Sequence, residues 1–112
     1  MSVDQVSVID IVSKDKEGQI VLTISDHLDW NNTREHLFML QEKINTYLGF
    51  IESGELYEKY PEAKGRQIRI DIKFHYQPTL EASAFLDKIK PIVEAGGNGF
   101  SFELFSATPF PI

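Results

Sequence analysis

The sequence predicts an α+β fold, a two-layer sandwich in which a four-stranded mixed sheet carries two helices on one face in the order ββαβαβ. Three observations lead there. Four segments carry strand-like patterns of β-branched and aromatic residues, and two carry apolar residues at helical spacing. Each helical segment falls between strands, and right-handed crossovers then place both helices on the same side of the sheet.

The first strand is expected over Val6 to Lys14 and the second over Gln19 to His27, joined by the polar, glycine-ended turn Asp15-Lys16-Glu17-Gly18. Strand one is apolar on both faces, with Val6, Val8 and Val12 on one side and Ile9 and Ile11 on the other. An interior place is therefore expected for it, favouring the spatial order 2-1-3-4 over 1-2-3-4. In strand two Ile20, Leu22 and Ile24 alternate with Gln19, Val21, Thr23 and Ser25, one face core and the other mixed.

A helix from Thr33 to Ser53 follows, because Leu37, Leu40, Ile44, Tyr47, Leu48 and Ile51 form one stripe of period near 3.6. Asn31, Asn32 or Thr33 caps its start, and Gly54 ends it as a left-handed residue. Phe38, Met39 and Phe50 lie off the stripe. Glu55 to Tyr60 adds one helical turn before Pro61. The clean alternation of Gln67 to Tyr76 sets Ile68, Ile70, Ile72, Phe74 and Tyr76 inward and Arg69, Asp71, Lys73 and His75 outward.

The second main helix opens at Pro78-Thr79 with the stripe Ala82, Phe85, Ile89, Ile92 and Val93. Pro91 removes the amide that would bond Asp87, so a kink or break is expected near Lys90. The run Gly96-Gly97-Asn98-Gly99 turns the chain into a last strand, Phe100 to Ser106. The tail to Ile112 carries two prolines and is not an inner strand.

Composition narrows the function. The 112 residues hold 17 Asp and Glu against 11 Lys and Arg, a net charge of −6, with 42% hydrophobic residues and no cysteine. A chain of this size buries roughly two thirds of its unfolded surface, enough for one globular domain over residues 1–112. Disulfides, thiol nucleophiles and thiolate metal sites are excluded. The acidic balance and the lack of a Lys/Arg cluster argue against nucleic acid. No run of about 18 apolar residues points to a membrane span. With neither a basic start nor an apolar stretch after Met1, a cytoplasmic location is expected.

The densest group of chemically capable residues is Asp26, His27, Asp29 and His36, between strand two and helix one. Converging carboxylates and imidazoles would bind a metal or small ligand or support catalysis, although the nine-residue separation of the two histidines matches no metal motif. The same residues equally serve as turn and helix caps. His75 has no nucleophile beside it in the sequence, no G-x-S-x-G elbow occurs, and the glycines after helix two follow a helix where a phosphate loop would open one. No catalytic constellation and no cofactor are implied.

The runs Val8-Ile9-Asp10-Ile11-Val12-Ser13, Leu22 through Trp30, His36-Leu37, Leu40 through Asn45 and Ile51 through Glu55 resemble a family of small bacterial proteins of unknown function. The resemblance is close over the first half of the chain. It implies a bacterial, cytoplasmic, stand-alone domain, and no site residues.

The expected role is therefore that of a non-enzymatic protein-interaction module. Its contact face would be the helix-free side of the sheet, where Ile9, Ile11, Val21 and Phe105 lie beside Arg69, Asp71, Lys73, His75 and Glu103. Another protein or a second copy in a homodimer would cover it, and an immunity-type protein masking a basic surface is one concrete form. The alternative is a small metal- or ligand-binding protein or enzyme using Asp26, His27, Asp29 and His36.

Overall fold

A computed structural model describes residues 11–104. Four strands, β1 (Ile11–Lys14), β2 (Ile20–Asp26), β3 (Ile68–Phe74) and β4 (Gly99–Leu104), form one sheet in the order β1-β2-β3-β4. β1 pairs antiparallel with β2, whereas β2–β3 and β3–β4 are parallel. The parallel pairs need crossovers, supplied by α1 (Thr33–Glu52) and α3 (Leu80–Ala95), with the short α2 (Glu55–Lys59) and a 3₁₀ turn (Pro61–Ala63) before β3.

Register assigns the faces. Leu22, Ile70 and Phe100 stand side by side, as do Ile24, Ile72 and Phe102, and Asp26, Phe74 and Leu104. Ile20, Leu22, Ile24, Ile68, Ile70, Ile72 and Phe74 join Leu40, Ile44, Tyr47 and Ile51 of α1 and Leu86 and Val93 of α3 in one buried core. Both long helices thus lie on the same face, and the α+β sandwich of the sequence analysis is the fold. The Tyr47 hydroxyl donates to the Thr23 carbonyl at 2.9 Å, tying α1 to β2.

Local chemistry sets the element ends. The Asp15 carboxylate accepts from the amides of Glu17 and Gln19 and closes the β1–β2 turn, where Gly18 takes φ 84°. A side chain at Gly18 would also meet Arg66, whose guanidinium donates to the Gly18 carbonyl. The Asn32 side chain accepts from the Glu35 amide and donates to the Glu35 carboxylate, a reciprocal cap on α1. Thr79 caps α3 by accepting from the Ala82 amide.

Several expectations are corrected. β1 lies at the edge, and the order 2-1-3-4 does not occur. The hairpin fills one side of β2 and the parallel crossover fills the other, while Ser13 and Lys14 put exposed side chains on β1. α3 runs unbroken through Pro91, so the break expected near Lys90 does not occur, and Pro91 and Asp87 both lie on its exposed side. Leu86 is buried, whereas Ile92 is 64% exposed. Residues 6–10 of the first expected strand, the end of the last one and the C-terminal tail lie outside the described residues.

Ile70 sits on β3 between two neighbouring strands with 0% exposure. Ile70→Ala should lower unfolding free energy by about 3 kcal/mol in urea titrations, through lost burial and the cavity left behind. A loss below about 1 kcal/mol would show instead that the two strands and α1 close over the site.

Candidate functional site

β2 ends at the sheet's carboxyl edge, and its last residue, Asp26, falls on the helix-bearing face by register. Asp26 is 0% and His36 2% exposed, and they meet there. His36 Nε2 stands 2.6 Å and 2.8 Å from the two Asp26 carboxylate oxygens. Its Nδ1 stands 2.9 Å from the carbonyl of Asp29. The Trp30 indole stacks on the imidazole, with ring centroids 3.6 Å apart and planes 16° from parallel. Trp30 in turn donates from Nε1 to the Tyr76 carbonyl and touches Phe74, so the stack joins β2, β3 and α1.

The partners fix one proton. A carbonyl only accepts, so Nδ1 carries a hydrogen. Nε2 faces both carboxylate oxygens at hydrogen-bonding distance, so the two side chains satisfy one another. Paired this way, two groups that are each costly to bury remain compatible with a dry site. An imidazole stacked on indole also gains from the ring's negative face whenever both of its nitrogens are protonated. Asp26 Oδ1 accepts from the Leu28 amide as well, which closes the turn out of β2.

The other residues of the cluster do not converge on this pair. His27 is exposed, and the Asp29 carboxylate accepts from the backbone and side-chain nitrogens of Asn31. Among the described residues no group of three or more His, Asp or Glu side chains is placed to hold a metal ion. Both His36 nitrogens are committed to oxygen acceptors, leaving no lone pair for a metal and no free ring position for proton transfer. The cleft beside it, between Leu28, Asn32 and Met39, has a volume of 180 Å³, below the roughly 300 Å³ at which small-molecule pockets begin. A larger cavity of 390 Å³ lies at the other end of α1, between Gly54, Tyr57 and Lys64.

On the helix-free face, β2, β3 and β4 set Val21 beside Arg69 and Gly99, Thr23 beside Asp71 and Ser101, and Ser25 beside Lys73 and Glu103. Val21 and Asp71 are each 6% exposed, so two residues of the expected contact face are withdrawn from solvent. Arg69 bonds Gln19 and pairs with Asp15 at 3.6 Å. Lys73 pairs with Asp71 at 2.9 Å and with Glu103, and Asp71 also accepts from the Ser101 hydroxyl at 2.7 Å. His75 and Glu103 are exposed. Ile9 and Phe105 lie outside the described residues, and Ile11 pairs through β1 with Thr23.

The sequence reading missed two polar residues of the buried face of α1. His36, Leu40, Lys43 and Tyr47 follow one another at spacings of four, three and four, and all are buried. The periodicity was present, but counting apolar residues alone passes over His36 and Lys43. The exposed Phe102 and Leu104 of β4 were missed as well.

A double-mutant cycle measures the pair. Asp26→Ala and His36→Ala should each destabilise the chain by about 3 kcal/mol, since each strands a buried partner. The double variant should fall short of additivity by about 2 kcal/mol in denaturant titrations, and additive losses would mean that the two groups do not couple.

No curated protein and no solved structure matches the chain. Among the described residues no helix is long and apolar enough to cross a membrane. A family model matches residues 1–106, the entire described fold included, and by it the chain belongs to the family of unknown function DUF6572.

Proposed function

We propose that this chain is a protein-interaction module that offers an open sheet edge to another protein and carries no catalytic centre. The observation that supports the reading best is the apolar strip on β4. Phe102 and Leu104 are 37% and 50% exposed on the strand that bounds the sheet among the described residues. Open edges are usually blunted by lysine, proline or brevity. This one is six residues long with Phe and Leu on one face. Tyr76, just beyond β3, is 52% exposed as well. Apolar surface left in water at such an edge marks a contact site.

The commitment of Asp26 and His36 to each other weighs against the metal- or ligand-binding alternative. The net charge of −6 favours basic partners through faster encounter, in keeping with an immunity-type protein that masks a basic surface.

Native mass spectrometry of the protein purified from its own host tests the reading. The expected species is a stoichiometric complex with another protein, retained by the wild type and lost by Leu104→Ser. That exposed substitution should cost under about 1 kcal/mol of stability. A lone chain carrying a metal ion or small molecule, with melting lowered by chelator, would overturn the reading in favour of the Asp26, His27, Asp29 and His36 cluster.

A further inference from the structure

Resting on the interaction-module reading, we propose that the outer edge of β4 takes an extended segment of alternating apolar and basic residues as a fifth strand. Main-chain hydrogen bonds supply affinity in this mode of recognition, and the two faces of the receiving strand supply specificity. The two faces of β4 differ in what they ask for.

On the helix-bearing face, exposure rises along the strand, from 5% at Phe100 through 37% at Phe102 to 50% at Leu104. Phe102 already touches Phe74 and Phe100, so an apolar side chain beside it would extend an existing cluster. Alternate residues of the incoming strand fall beside this row, because side chains on neighbouring strands share faces.

On the other face the charges do not balance. The carboxylates of Asp71 and Glu103 share one ammonium, Lys73, and Asp71 is 6% exposed while the Glu103 side chain is 59% exposed. The group is one cation short, and its open side is Glu103 on the edge strand. A lysine or arginine on the incoming strand, opposite Glu103, would complete it with a charge-assisted hydrogen bond.

The same accounting disfavours a second copy as the occupant. Gly99 to Leu104 contains no cationic residue, so edge-to-edge pairing of two β4 strands would leave each Glu103 still sharing Lys73 with Asp71 and would bring together chains of net charge −6. Like charges across strands destabilise the pairing.

Amide NMR titration of the full chain with synthetic peptides of about seven residues, one alternating valine with lysine and one valine with glutamate, provides the test. Shifts centred on Phe100 to Leu104 are expected with the lysine peptide. Glu103→Lys should weaken that peptide about tenfold, or about 1.4 kcal/mol, and strengthen the glutamate peptide. The Lys73–Glu103 pair is partly exposed, so the variant keeps its fold, checked by circular dichroism. Equal binding of both peptides at β4 would overturn the basic-strand assignment and leave the interaction-module reading standing. Shifts confined to other elements, with the host complex still dependent on Leu104, would overturn the strand-addition mode alone. A concentration-dependent dimer abolished by Leu104→Ser would place a second copy on the edge and overturn the proposal.

Discussion

The parallel pairing of β2 with β3 is the constraint on which the rest of this fold depends. Its register runs unbroken from Ile20 opposite Ile68 to Asp26 opposite Phe74. Parallel neighbours cannot be joined by a tight turn, so α1, α2 and the turn at Pro61 must carry the chain back along the sheet. The length and buried face of α1 follow from that task. So does the place of β1, since the antiparallel hairpin takes the side of β2 that the crossover leaves open.

At the carboxyl edge of this pair the chain leaves β2 and enters α1 within a few residues. There Asp26, His36 and Trp30 hold the end of a strand, the start of a helix and the exit of β3 in one stack. The carboxyl ends of parallel strands are where α/β folds commonly place ligands. Here Asp26 and His36 are turned on one another and closed to water. Two strands away, β4 ends the layer among the described residues with Phe102 and Leu104 in solvent.

Much of this was legible. The alternation of Gln67 to Tyr76 gave β3, the Leu40, Ile44 and Tyr47 spacing gave α1, and the asparagines before Thr33 and the glycine after Ser53 gave its ends. What escaped was decided by tertiary context. Whether β1 is central or peripheral depends on which side of β2 the crossover lands, which apolar count does not encode. The burial of His36 and Lys43 depends on partners that satisfy them, and the continuity of α3 through Pro91 goes with the exposed side of the helix on which Pro91 and Asp87 lie. Of the candidate site, Asp26 and His36 were named together from proximity in sequence, but their mutual pairing and the separation of His27 and Asp29 needed the turn geometry.

The hydrogen bonds that shape the β2–α1 junction span short stretches of chain. Asn32 with Glu35, Leu28 with Asp26 and His36 with Asp26 all close loops of ten residues or fewer. The β2–β3 ladder, by contrast, joins segments separated by all of α1 and α2. Closing short loops loses little chain entropy, whereas the ladder must wait for a long one. Folding is thereby given an order. Loop closure thus favours contacts at the junction, which already point α1 back along the sheet, over the β2–β3 ladder as the first to form.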